Sequence, residues 1–180
     1  TWHQTENIYF PNKLNIEQTS SEITANYKAN LVSGKSLIDI TGGFGIDAYF
    51  FSQKVKNVTH CELNEELSNI VKHNLTSLKI KNISTHYGNG IEYLKNFKDK
   101  LDWIYTDPSR RNDAKGKVFL LEDCLPNIPE NLDLLFNKSD NILIKVSPIL
   151  DISSAINELK FVKEIHIVAL NNEVKELLFI

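Results

Sequence analysis

From residue 36 onward the chain alternates short, apolar, β-branched runs with stretches of helical periodicity, and few folds accept that order. The apolar runs fall at residues 36–40, 57–62, 83–87, 101–106, 141–147 and 164–170. Helical patterns occupy residues 47–56, 64–78, 91–97 and 153–159. In the second of these, Asn64 stands where a cap belongs and Glu65 and Glu66 fill the first turn; Leu67, Ile70, Val71, Leu75 and Leu78 recur at helical spacing. Asp151 or Ser153 would cap the last. Strands separated by helices run parallel and are covered on both faces, because a parallel neighbour needs a crossover connection. The C-terminus breaks the pattern. IHIVALNNEVKELLFI leaves no room for a helix, so Asn171 and Asn172 read as the turn of an antiparallel hairpin. The expectation is an α/β fold: a mostly parallel seven-stranded sheet, helices on both faces, and a C-terminal antiparallel hairpin.

A length of 180 residues with 42% hydrophobic content suits one core and no second full domain. Residues 1–34 read as an N-terminal extension with a helix, and residues 35–180 as the domain itself. In TSSEITANYKANLVSG, Thr19 and Glu22 have capping-box spacing, Ile23, Tyr27 and Leu31 share a face, and Gly34 is a stop. Residues 1–18 look irregular. The chain opens on Thr1 and contains no methionine, so it reads as a processed or excised piece.

A net charge of −3 supplies no global field for nucleic acid or anionic membrane, so any RNA would have to meet a local basic surface. No apolar run is long enough to span a membrane, and no basic-then-apolar leader opens the chain; a cytoplasmic, reduced setting is expected. Cys61 and Cys124 lack metal-ligand spacing, and Cys61 reads as a small buried residue. The five histidines are scattered, which argues against a metal site or a histidine-activated nucleophile.

The first apolar run leads straight into Thr41-Gly42-Gly43-Phe44-Gly45, followed by a helix. Glycines at such a junction let the backbone turn sharply and approach a ligand, with a helix N-terminus aimed at it. Gly43, Gly45 and Ala48 also satisfy G-x-G-x-x-A, with Glu62 ending the second run, so a dinucleotide is a competing ligand. Asp39 argues the other way. Its carboxylate, four residues before Gly43, would repel a pyrophosphate but accept from an amine.

Asp39 with its glycines, Glu62 after the second run and YTDPSRR closing the fourth together resemble the class I S-adenosylmethionine (SAM)-dependent methyltransferases, over nearly all of residues 36–180. DITGGFG, HCELNEEL, DPSRR and IKVSP are similar to a bacterial group of these enzymes that carries a THUMP-like domain after the catalytic domain and acts on RNA. The resemblance implies a Rossmann-like fold and SAM as cofactor, with RNA as partner, tRNA and rRNA not being distinguished. It implies that Asp39, Gly43 and Gly45 line the methionine end of SAM, that Glu62 accepts from the ribose hydroxyls, that Thr41, Gly42 and Leu63 also bind the cofactor, and that Asn89 stands where the family often has an adenine-binding Asp. Glu62 read by itself is also compatible with a solvated charge beside the Asn64 cap, and Asn89 with a plain turn.

Asp107-Pro108-Ser109-Arg110 occupies the place of the amino-methyltransferase motif [D/N]-P-P-[F/Y/W], in which an acid or amide oxygen and a backbone carbonyl hold the acceptor amine. The resemblance implies catalytic roles for Asp107, Pro108 and Ser109, but Ser109 replaces the second proline and Arg110 the aromatic. Stacking on the acceptor base would then come from Arg110, Tyr105 or Trp103. Arg110 and Arg111 are the only arginines among 20 basic residues, which points to substrate binding; a surface ion pair is the alternative. Asp113, Lys115 and Lys117 extend a polar loop that could close over substrate. Lys145, near the end of the fifth run, is a candidate contact for substrate or phosphate. Lys28 and Tyr27 could approach the cofactor, although a packing helix with a solvated Lys28 is the better reading. The expected function is methyl transfer to a nucleobase nitrogen in RNA. A non-catalytic SAM- or RNA-binding module is second, and an NAD(P)-dependent oxidoreductase third.

Overall fold

The computed structural model describes residues 5–110 and 120–180, with Leu14 and Arg110 described by their backbone alone. Seven strands form one sheet: β1 (Gly34–Asp39), β2 (Val55–Glu62), β3 (Ile83–Tyr87), β4 (Trp103–Thr106), β7 (Ile142–Val146), β8 (Ile165–Leu170) and β9 (Glu173–Phe179). Their order is β3-β2-β1-β4-β7-β9-β8. β1, β2, β3, β4 and β7 run parallel, while β9 is antiparallel to both β7 and β8. The turn between β8 and β9 places Asn171 and Asn172 at φ 54° and 62°, the left-handed pair a tight hairpin requires. This is the Rossmann-like methyltransferase architecture.

Consecutive residues along the central strands feed two different cores, as burial on both faces demands. Leu37, Tyr105, Leu143 and Leu178 pack toward α2 (Glu22–Ala29) and α3 (Ile46–Phe51). Ile38, Ile104, Ile144 and Leu177 pack toward α5 (Gly90–Asn96), α6 (Ile128–Lys138) and α7 (Ile152–Leu159). Each Leu or Ile removed from water is worth roughly 1.5–3 kcal/mol. α4 (Glu65–Ser77) lies on the α3 side, where Leu67 joins Ala25, Phe44 and Ile46. Asn64 caps it as its position predicts, accepting from Leu67 N–H at 2.9 Å.

Four local features depart from the sequence reading. Residues 13–17, expected to be irregular, form the short helix α1 (Lys13–Glu17). α2 is capped by Ser21, not Thr19, and stops at Ala29 well before Gly34. Its buried face is Thr24, Ala25, Lys28 and Ala29, while Ile23 and Tyr27 are exposed. Finally, β5 (Ser109–Arg110) pairs antiparallel with β6 (Cys124–Leu125), and α6 follows, capped by Asn127 through Glu130 N–H.

The strand order reverses between β1 and β4, which are neighbours although β2 and β3 intervene in sequence. In open α/β sheets ligands bind where such a reversal opens a crevice at the strands' carboxyl ends. Asp39 and Asp107 emerge there, from β1 and from just beyond β4.

Candidate active site

A cleft of about 800 Å³ opens at this edge of the sheet. Asp39, Thr41, Gly42, Gly43, Glu62, Leu63, Asn89, Asp107, Pro108, Ser109 and Lys145 all line it. Of the remaining sequence-predicted residues, Gly45 sits behind the loop at φ 79° as the N-cap of α3. The backbone of Arg110 continues into β5, whereas Arg111, Asp113, Lys115 and Lys117 lie outside the described residues.

The glycine loop is held from both sides. Gly42 N–H donates to Cys61 O at 2.8 Å, and Gly43 N–H donates to Glu62 Oε2 at 2.8 Å. The other oxygen of Glu62 accepts from Asn64 N–H at 2.7 Å. Glu62 is therefore neither a loose surface charge nor free for a ligand alone: it ties the loop to the start of α4, and each oxygen keeps a lone pair. His60 was not expected at the site. Two residues before Glu62, it points to the same side of β2, is fully buried, and lies 3.2 Å through Nε2 from Gly43 O. Burial lowers its pKa, so the ring is neutral, and because a carbonyl only accepts, Nε2 carries the proton. A Cβ on Gly42 would come within 2.2 Å of that nitrogen, which is why only glycine fits there.

Asp39 is buried, and its Oδ1 accepts from Thr41 N–H at 3.0 Å. Burial drives its pKa well above the ordinary carboxylate range, and the nearby Asp47, Asp107 and Glu62 add to the push against one hydrogen bond from Thr41. Among the described residues no lysine or arginine pairs with it. Two of these acids, Asp107 and Asp47, have a lysine partner. Asp107 is ion-paired with Lys145 across the mouth of β4 and β7, yet burial, the larger effect, still holds its carboxyl above the ordinary range against that lysine. Asp47, in the first turn of α3, lies 3.2 Å from Lys28 Nζ and accepts from Ser20 Oγ at 2.9 Å and Tyr105 Oη at 2.8 Å. Burial works against ionisation of Asp47, but Lys28 and then Lys145 carry its pKa below the usual value. Lys145 stays cationic because Asp107 and Asp47 outweigh the burial that opposes its charge. Burial pushes the Cys61 thiol up to about 12, so it is an inert wall of the cleft.

Three sequence expectations need correction. Lys28 is not solvated: its exposure is 0%, and its ammonium also donates to Ser20 Oγ at 3.1 Å and to both oxygens of Glu176 at 2.8 and 2.9 Å. Its three protons are spent in this buried cluster. Tyr27 turns away, its hydroxyl 2.9 Å from His166 Nδ1 on β8. Tyr105 borders the cleft but, at 1% exposure, offers no ring face for stacking, and Trp103 lies outside it. Tyr105 is buried edge-on against Phe51, and Trp103 opens β4 at the far end from Asp107, lining a separate apolar cavity. Among the described residues, the exposed apolar side chains at the Asp107 end are Leu125, directly opposite Ser109 across the β5–β6 pair, and Ile149. Asn89 caps α5, its Oδ1 accepting from Ile91 and Glu92 N–H at 2.9 and 3.4 Å.

No protein-family model matches the sequence, and a search of curated proteins finds no match. Among solved structures, a candidate methyltransferase from Porphyromonas gingivalis W83 is 33% identical, with a TM-score of 0.88 over 99% of this chain. The chain spans 44% of that protein's length. An rRNA methylase from Streptococcus thermophilus matches at 13% identity and TM-score 0.61, over 90% of this chain and 96% of the other. TrmK from M. capricolum, solved with the cofactor product S-adenosyl-homocysteine (SAH), matches at 18% identity and TM-score 0.61, over 87% of this chain and 66% of its own. The last two likenesses establish the fold.

Proposed function

We propose that the chain is the SAM-binding catalytic domain of a methyltransferase that modifies a nucleobase nitrogen in RNA. The observation that carries this reading is Asp39: a buried carboxylate without a cationic partner among the described residues, facing a cleft one strand away from Asp107. An ammonium group is what such an acid lacks, and a pyrophosphate is what it would repel. The neighbours add weight, since TrmK was solved with SAH and the Streptococcus thermophilus protein is an rRNA methylase.

When bound, SAM supplies an electrophilic methyl group on a sulfonium. The chain's own residues supply placement. Asp39 takes the ammonium of the methionine end, and the remaining lone pairs of Glu62 receive the ribose hydroxyls. Asn89, whose oxygen already serves α5, has its amide N–H groups for the adenine ring, against which Leu63 presents an exposed apolar face. Asp107 and the carbonyl of Pro108 hold the acceptor nitrogen, while Lys145 orients Asp107 and opposes the burial that disfavours its charge. Leu125 and Ile149 furnish apolar walls for the acceptor base, and Arg110 and Arg111 meet phosphates. A THUMP-like domain elsewhere in a longer protein would recruit the RNA.

The second reading, a SAM- or RNA-binding module without turnover, is favoured by one feature: Lys145 already occupies the acid that should hold the acceptor. Incubation with tritiated-methyl SAM and RNA from cells lacking the protein separates the two. In the full-length protein, Asp107→Ala is expected to abolish transfer with SAH affinity unchanged, and Asp39→Ala to weaken SAH itself. Full activity in Asp107→Ala would remove Asp107 from the acceptor site.

A further inference from the structure

Thr41 was expected to touch the cofactor, yet its hydrogen bonds run to the two acids on either side of it. The β1–β4 ladder ends with Ile40 N–H donating to Tyr105 O at 3.0 Å. Beyond that rung the strands part, and the peptide of Asp107 has no main-chain partner on β1. The Thr41 hydroxyl replaces it: Oγ1 accepts from Asp107 N–H at 2.6 Å and lies 3.4 Å from Asp39 Oδ1. The same Asp39 oxygen accepts from Thr41 N–H at 3.0 Å. A hydroxyl has one proton and two lone pairs, so a single side chain can accept from one acid's backbone and donate to the other acid's carboxylate.

We propose that Thr41 is a positioning residue that sets the spacing between the cofactor end and the acceptor end of the cleft. It does so by pinning the Asp107 peptide to the glycine loop through its hydroxyl. The inference rests on the methyl-transfer reading and deepens it. Direct displacement depends on a donor and an acceptor held in line, and a displacement of about 1 Å costs on the order of 100-fold in rate. Asp107 stands at a strand end, where its backbone needs such an anchor, and the loop that follows begins at once with Pro108, which offers no N–H of its own.

The test compares Thr41→Val, which keeps the shape and loses the hydroxyl, with Thr41→Ser, which keeps the hydroxyl, in the full-length protein. Amide hydrogen exchange at Asp107 reads the anchor without any substrate: protection should fall in T41V and persist in T41S. With tritiated-methyl SAM and RNA from cells lacking the protein, kcat should fall roughly 10- to 100-fold in T41V. T41S should restore most of it, and SAH Kd should stay within about threefold in both. Unchanged Asp107 exchange in T41V overturns the anchor. A loss of SAH affinity matching the loss of kcat would make Thr41 a cofactor contact instead. If wild-type protein binds SAH but transfers no methyl group, the methyl-transfer reading fails and the positioning role fails with it, whatever the exchange shows.

Discussion

Asp39 illustrates a conflict between stability and binding at a single residue. Its folded pKa is raised by burial, so its contribution to stability is fully present below the ordinary carboxylate range and is lost as pH rises through the raised value. Above the ordinary carboxylate range that raised pKa is a cost the free protein carries. Asp39→Asn should therefore raise the melting temperature of the free protein at pH 7 while weakening SAH binding. An ammonium favours the ionised acid, so SAH binding should strengthen as pH climbs through the same range and should release protons. Calorimetry in two buffers of different ionisation enthalpy measures that release, and the Asn variant should abolish it; a variant that melts lower than wild type would mean Asp39 is stabilised by a partner. Asp39, Glu62 and Asp107 were legible in the sequence because each sits beside a strand end, where chain position alone predicts the cleft. Tyr105 and Trp103 were misread because strand alternation decides which side chain faces the ligand, and Tyr105 falls on the α3 face of the sheet. His60 carried the same period-two signal as Glu62.

At the level of elements, α2 shows how a helix can bury a charge that its own sequence gives no reason to hide. Its apolar residues Ile23 and Tyr27 remain exposed, and Lys28 goes inside because Glu176 on β9 and Asp47 on α3 are waiting for it. Those partners lie 148 and 19 positions away along the chain, so helical periodicity could not reveal them. Breaking one side of a fully buried ion cluster costs about 3–5 kcal/mol, chiefly by stranding the opposite charge. Lys28→Met should lower stability by about that amount in urea unfolding. Adding Glu176→Leu should return part of the loss, since Asp47 keeps Ser20 and Tyr105 as donors; a double variant no more stable than the single would show that the cluster is not one unit. The regular sheet was legible element by element, from the six apolar runs to the Asn171–Asn172 hairpin. β5, β6 and α6 were not, because two-residue strands have no period, and α6 hides its start behind Pro126 and Pro129.

Over the whole molecule, the strand reversal, the uncompensated acid and the matched acid converge on one edge of the sheet, and they set a preference between ligands. An oxidoreductase built on the same glycine loop needs a pyrophosphate beside Gly43, but Asp39 and Glu62 flank that point and Glu62 already bonds Gly43 N–H at 2.8 Å. The amide that a Rossmann loop would offer a phosphate is thereby taken by a carboxylate. SAH brings an ammonium and no phosphate, so it should bind and NADH should not. A ligand at 100 times its Kd stabilises the folded state by about 2.7 kcal/mol. For a domain of this size that corresponds to a rise in melting temperature of roughly 5–10 °C. Thermal unfolding with SAH and, separately, with NADH makes the comparison: the shift should appear with SAH alone and shrink in Asp39→Asn. A shift with NADH and none with SAH would show that the glycine loop binds a dinucleotide, and the assignment of Asp39 to an ammonium group would fall.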